Sequence, residues 1–440
     1  MNEPAAADRR FGLLDYAALW GALGATLYIM PFGSLLVPAL SIERAVAATL
    51  VAALIAALLI AAVSALAARR GSSTLGLLTA VFGERVSVPL GLLLALRHVV
   101  WGAFALSLIA GSAELVSERS LGAGLRPLWV VLFGLAGLAL VLAGPDFVVR
   151  KLLRRAGVWL VLLVAVGVAL SAYMEFEVPA YLKRPAVGGW PEFWQAVDVM
   201  LIVPLLWLPL VADFGRYARS VSVAARGSFL GLFAATAWFG VLGLLYLPAV
   251  ERGDVAGFVA GTGLGLGALV LLLLLQTDEV FANAFSARTA LGQAIPSRAR
   301  LLSVFVGCVV IALALPFDWL RIEGSLLLIG SLFVPLFGVV LADGLAGQLA
   351  RRPAGAALPL AAWASGFALY HWISPPDAGW WTQAVETLFA DLLRLPFPLG
   401  DEATWLGAAI PSFVAAFLLQ AAGARALGFN RRPRPEPRPA

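Results

Sequence analysis

The sequence predicts an all-α integral membrane protein that crosses the bilayer about twelve times. Three observations carry that expectation. The chain of 440 residues is 61% hydrophobic and only 13% charged, whereas soluble domains hold roughly 25% charged residues. Its apolar residues gather in runs of the length that a crossing helix needs, about 20 residues each. Its cationic residues fall at the ends of those runs in a one-sided, alternating pattern.

The runs lie near residues 15–40, 44–68, 87–113, 127–145, 156–173, 196–214, 227–249, 261–286, 300–316, 324–346, 355–373 and 403–427. The first and eighth are long and contain glycines, which suits a tilted or broken helix. No strand-like alternation persists far enough for a barrel. One transmembrane domain over 15–427 is therefore expected, between a short tail at 1–14 and a C-terminal tail at 428–440. That tail carries Arg431, Arg432, Arg434 and Arg438 among prolines, the composition of a disordered terminus able to meet anionic headgroups. The polar N-terminus leads into a full-length apolar run without a cleavage-site pattern, so no removable signal peptide is expected.

Charge orients the spans. With the N-terminus inside and the runs alternating, 22 of the 31 Lys and Arg residues fall on the cytoplasmic side and eight outside, with Arg97 within a span. Both termini are then cytoplasmic. The external loops are acidic. The last of them contains Thr382 to Leu395, whose Val385, Leu388, Phe389, Leu392 and Leu395 recur at helical spacing, so a short surface helix is expected beside Trp380 and Trp381.

Several functional classes are disfavoured. One cysteine, Cys308, and two histidines, His98 and His371, leave no disulfide, zinc or iron–sulfur framework, and no cofactor is expected. The net charge of +5 comes without a basic run interleaved with aromatics, which argues against nucleic acid. No nucleophile–base pair or metal motif lies in a span, so an intramembrane enzyme is not expected, and the tails are too short for a sensor's output domain.

Ionisable residues inside spans are costly and are functional candidates by default. The eighth run reads LLLLLQTDEVFANAFSA from Leu271 to Ala287. Asp278 and Glu279 are adjacent there and point about 100° apart. One arrangement has Asp278 facing a cation site and Glu279 facing a solute or Arg97. The other is a structural ion pair between helices. Arg97, in the third span, needs a carboxylate partner, with Glu279 or Asp278 the candidates. Its neighbour His98 is a packed histidine or a proton relay. The sixth run ends WLPLVADFGRYARS from Trp207 to Ser220. Pro209 permits a break, and Asp213 and Arg216, spaced i, i+3, are expected to pair as a gate or anchor.

At WLPLVADFGRYAR the sequence resembles the purine–cytosine permease family, the nucleobase–cation symporters. The tenth run, IGSLFVPLFGVVLADGL from Ile329 to Leu345, is similar to the family's glycine, phenylalanine, proline and aspartate pattern, and TDEVFAN ending at Asn283 resembles a family stretch in the eighth. The hydroxymethylpyrimidine branch looks nearest. The resemblance implies two inverted five-helix repeats plus two extra helices, with discontinuous first and sixth helices. Gly21, Gly24, Pro31 and Gly33 would permit the first break, and Pro204 and Pro209 the second. It places an aromatic sandwich on Trp101 and Trp207 and a substrate amide on Asn283, with Ala105 and Ile29 at positions where the family often has polar contacts and Glu279 as a replacement. It places a sodium site on carbonyls near Ala25, Tyr28 and Leu274 with Thr277 and Asp278. The carboxylate at Asp278 leaves sodium and the proton both open as coupling ion. The implied activity is inward symport of a heterocycle by a monomer in the cell membrane. The alternative is an uncoupled facilitator or channel.

Overall fold

The structure is a computed structural model and describes residues 10–175, 183, 185–246, 259, 265–293, 298–316, 323–345 and 356–427. Residues 1–9 of the N-terminal tail and the whole tail at 428–440 lie outside the described residues.

Every expected span is a helix. The first is broken into Leu13–Gly24 and Ile29–Ser34. The second to fifth are Ile42–Arg70, Glu84–Leu121, Arg126–Ala143 and Val158–Glu175, the last preceded by a π-helical turn over Phe147–Gly157. The sixth is Phe193–Leu205 and Leu208–Gly215, bent by 43°. The seventh to twelfth are Val221–Tyr246, Gly265–Gly292, Ala299–Ala314, Glu323–Leu345, Ala357–Ile373 and Ala409–Ala426. Among the described residues the only β feature is an isolated parallel bridge between Phe11 and Ala218. Large apolar side chains such as Leu58, Leu92, Leu96, Trp159, Leu163 and Leu418 stand exposed along the spans. Lipid covers such a surface; water would not.

Two elements differ from expectation. A helix over Thr74–Phe82, between the second and third spans, was not expected; at nine residues it is too short to read as a crossing run. The expected surface helix forms as Trp380–Glu386 continuing into a π-helical turn over Thr387–Leu392. Its Val385 and Phe389 are buried, and Phe389 stacks on Trp372 and Phe397, while Leu388 and Leu392 stay exposed.

The spans form two groups. The first, second, sixth and seventh pack together, and so do the third, fourth, eighth and ninth. Exchanging spans one to five with six to ten maps this pattern onto itself: first-on-seventh becomes sixth-on-second, and third-on-fourth becomes eighth-on-ninth. Because five is odd and the spans alternate, the second copy is inverted. The fifth and tenth spans flank the groups at equivalent places, and the eleventh and twelfth pack on the tenth.

Glycines set the closest seam. Gly231 on the seventh span faces the Ala17 and Gly21 backbone of the first, and Gly243 faces the backbone of Met30. Small residues let two backbones approach where lipid offers no hydrophobic drive. This seam holds both halves of the first span against one continuous helix, which fixes where the break sits.

Candidate functional site

The two breaks lie deep in the bundle. In the first span, the Ala25 N–H still bonds the Gly21 and Ala22 carbonyls, and the chain then leaves the helix until Ile29. Thr26 competes locally, its hydroxyl accepting from the Tyr28 N–H at 3.3 Å. In the sixth, Pro209 has no N–H to offer the Leu205 carbonyl, and the Leu210 N–H bonds Trp207 rather than Leu206. The Leu206 carbonyl is thereby released from the helix ladder.

Arg97 takes that carbonyl through Nη2. Its Nη1 donates to Asn283 Oδ1 at 3.0 Å and lies 2.8 Å from His98 Nδ1, and its guanidinium sits 5.4 Å from the Trp101 ring centre. Around it Tyr28, Trp101, Phe104 and Trp207 form an aromatic cluster. Trp101 meets Trp207 edge to face at 6.3 Å and 78°, and Tyr28 meets Trp101 at 6.0 Å. Both tryptophans are fully buried, and their indole N–H groups have no partner among the described residues.

The eighth span answers with a polar stripe. Gln276, Glu279 and Asn283 are spaced i, i+3 and i+7, one face of a helix. Gln276 Nε2 donates to the Ala25 carbonyl at 3.0 Å, and its Oε1 lies 3.4 Å from the Thr26 hydroxyl. Thr26 is also within reach of the Glu279 carboxyl. Asn283 Nδ2 donates to the Glu279 carbonyl at 2.9 Å. Asp278 points off this stripe. Both of its oxygens, and Glu279 Oε1, are buried without a hydrogen-bond partner among the described residues. Thr277 turns its hydroxyl to the Leu273 carbonyl at 3.3 Å.

Several expectations need correction. Arg97 has no carboxylate within ion-pair distance among the described residues; the carbonyl of a broken helix and an asparagine take its protons instead. Asp213 and Arg216 do not pair through their side chains. Arg216 Nε donates to the Asp213 backbone carbonyl at 3.2 Å and Nη2 to the Tyr217 hydroxyl. The Asp213 carboxylate instead takes the Thr74 N–H through Oδ1 at 3.1 Å, one of the donors at the start of a helix that Ser73 caps through the Gly76 N–H.

Other candidates are placed as follows. The tryptophans come together but touch each other, with no parallel slot between them in this conformation. Asn283 is committed to Arg97, His98 and its own helix. Ile29 and Ala105 are buried, and the Ile29 side chain reaches toward Gly240 of the seventh span. The Leu274 side chain faces outward. Among the described residues, no three His, Cys, Asp or Glu side chains converge as a metal site.

Sequence reasoning passed over Thr26 and Gln276, although Gln276 stands beside the acidic pair in an apolar run. It also missed Asp15. This buried carboxylate accepts from Arg154 at 3.0 Å and from the Gly12 N–H at 2.8 Å, with Arg150 at 3.9 Å. Close by, the Phe11 N–H bonds the Tyr217 carbonyl, and the Tyr16 hydroxyl donates to the Phe214 carbonyl at 2.8 Å. The start of the first span is thus tied to the end of the sixth and to the turn before the fifth.

No family model matches the sequence, and no curated protein matches it significantly. Solved structures do match. The chain is similar to Mhp1, a nucleobase-cation-symport-1 family transporter, in a closed conformation with bromovinylhydantoin bound: 18% identical, covering 96% of this chain and 94% of that one, TM-score 0.69. The inward-facing conformation of Mhp1 is likewise 18% identical over 96% of this chain and 92% of that one, TM-score 0.71. A Na+-coupled sialic acid symporter in a substrate-bound outward-open state is 14% identical over 95% of this chain and 98% of that one, TM-score 0.51. At such identities these matches establish the fold, a multi-pass bundle of twelve helices with broken first and sixth spans.

Proposed function

We propose that this chain is a secondary active transporter of the nucleobase–cation symporter type. It imports a nucleobase-like heterocycle, such as cytosine, hydroxymethylpyrimidine or a purine, together with H+ or Na+ by alternating access. One observation carries the reading. Two broken spans meet at a buried centre where indole N–H groups and carboxyl oxygens have no partner among the described residues, and a polar, flat solute would satisfy both kinds of group. The solved structures of this fold, in closed, inward-facing and outward-open states, are transporters, which supports the same reading.

In this proposal Trp101 and Trp207 part to admit the ring and stack on it. Asn283 and Glu279 hydrogen-bond its edge, and Ala105 and Ile29 complete the wall. The coupling ion is carried near Asp278 and Thr277, beside the first-span break at Ala25 and Tyr28, with the Leu274 carbonyl on the eighth span. Arg97 holds the sixth-span break, and Asp213 and Arg216 hold the end of that span. The protein acts as a monomer in the cell membrane with both termini cytoplasmic, and it has neither an enzymatic step nor a nucleic-acid partner.

The test is thermal unfolding of the purified protein with cytosine, hydroxymethylpyrimidine, adenine and a hydantoin. A ligand that binds only the folded state raises Tm by mass action. The expected result is a rise with one ring class that needs a higher ligand concentration in Trp207→Ala. No rise with any of them, in protein shown to be folded, overturns the nucleobase reading.

A further inference from the structure

The two breaks are closed by one device, repeated by the internal symmetry. At the first, the Ala25 carbonyl at the end of a half-helix accepts from Gln276 of the eighth span. At the second, the Leu206 carbonyl accepts from Arg97 of the third span. Position 206 follows 25 by 181 residues, and 276 follows 97 by 179. Each donor therefore stands at the matching depth of the matching helix, third or eighth, in the two inverted repeats. The C-terminal end of a half-helix presents free carbonyls and partial negative charge, and in a dry bundle its natural occupant is a cation.

We infer that resident N–H donors, the Gln276 amide and the Arg97 guanidinium, take the cation's place at both breaks, so that sodium does not bind between the first and eighth spans and the coupling ion is a proton carried by the Asp278–Glu279 pair. The site fits sodium poorly on its own geometry. The Ala25 carbonyl, an expected ligand, already accepts from the Gln276 amide at 3.0 Å. Asp278, the expected charged ligand, lies off the stripe that meets the break. Two neighbouring carboxylates in a dry site, with both Asp278 oxygens and Glu279 Oε1 lacking a hydrogen-bond partner among the described residues, cannot both remain ionised. A proton taken from water on one side neutralises one of them and returns to water on the other, with no electron transfer.

The surroundings supply few competing groups. Of the elements packed against the eighth span, the third brings Arg97 and His98 to the stripe, the first brings Tyr28, and the sixth brings Asp213 near its end. The fourth has no ionisable residue after Arg126, the fifth has only Tyr173 and Glu175 at its end, and the ninth has only Arg300 and Cys308. The first also carries Asp15, and the carboxylates of the first and sixth spans are engaged elsewhere: Asp213 accepts from the Thr74 N–H, and Asp15 from Arg154 and the Gly12 N–H.

The proton half rests on the transporter reading; the sodium half does not, and the experiment needs no substrate. Purified full-length protein is melted while NaCl replaces KCl at constant ionic strength, and its infrared spectrum is recorded in sodium buffer at neutral pH. The expected results are a Tm unchanged by sodium and a neutral carboxylic-acid carbonyl band that is lost in the near-isosteric Asp278→Asn/Glu279→Gln variant. A sodium-specific rise in wild-type Tm overturns the inference, as does the absence of that band. Failure of every heterocycle to bind would sink the transport reading and leave both measurements interpretable.

Discussion

Replacing Gly231 by alanine probes the seam on which the site hangs. A Cβ at this position would fall 2.8 Å from the Gly21 nitrogen and 3.0 Å from the Ala17 carbonyl carbon, and closer still to the Ala17 oxygen. Carbon contacts are comfortable near 3.5–4.0 Å, so the first span must retreat by roughly 1 Å here. A gap of that size forfeits about a quarter to a half of each dispersion contact along the neighbouring turns. Overpacked positions of this kind cost about 1–3 kcal/mol. Gly111 on the third span is the control. A Cβ there meets nothing within 4 Å, and alanine is the better helix former by ~1 kcal/mol. Unfolding followed in one detergent should show Gly231→Ala melting below wild type and Gly111→Ala at or above it. Because Gly33 lies against Gly240 and Gly243 on the same seam, Gly231→Ala should also weaken any heterocycle-dependent stabilisation. Equal melting temperatures for the two variants would refute the close approach of the first and seventh spans.

Further outcomes follow from single contacts. Trp207→Ala removes one indole from the buried pair and should weaken heterocycle binding by about tenfold or more, since aromatic contact is worth ~0.5–1.5 kcal/mol beyond the apolar area it buries; titration of the thermal shift measures it. Asp213→Ala leaves the buried Thr74 N–H without its acceptor and should lower Tm by an amount corresponding to about 1–3 kcal/mol, whereas Asp213→Asn keeps an oxygen for that N–H and should cost less. An Asp213–Arg216 ion pair would instead make the two variants equally damaging. Asp15→Asn loosens the tie among Gly12, Arg150 and Arg154, and hydrogen exchange should rise in Phe11–Ala18 and around Tyr217. Unchanged exchange there would mean that the backbone bridge alone holds this end shut.

Much of the architecture was legible because a bilayer imposes a one-dimensional rule. A run such as 44–68 has no alternative to crossing as a helix, since unsatisfied backbone groups are too costly in lipid. Pro209 and the glycines near residue 24 announced the breaks for a similarly local reason. The helix over Thr74–Phe82 has a local start signal in Ser73, which caps the Gly76 N–H, but its nine residues are too few to read as a span, and its tie to Asp213, 139 residues away, was not legible. Gln276 was visible as a polar residue in an apolar run, yet only the approach of the first span gave it a carbonyl to hold.

The sequence by itself determined the number and order of the spans, the depth at which Arg97, Asp278, Glu279 and Asn283 lie, and the positions where two helices come apart. Those properties follow from residue spacing along one helix and from the lengths of apolar runs. Tertiary structure alone decided the partners. Arg97 was expected to seek a carboxylate and holds the Leu206 carbonyl; Asp213 was expected to seek Arg216 and takes an N–H at the start of a distant helix. A buried donor or acceptor takes whichever group folding brings within about 3 Å, and that choice depends on packing between helices far apart in the chain.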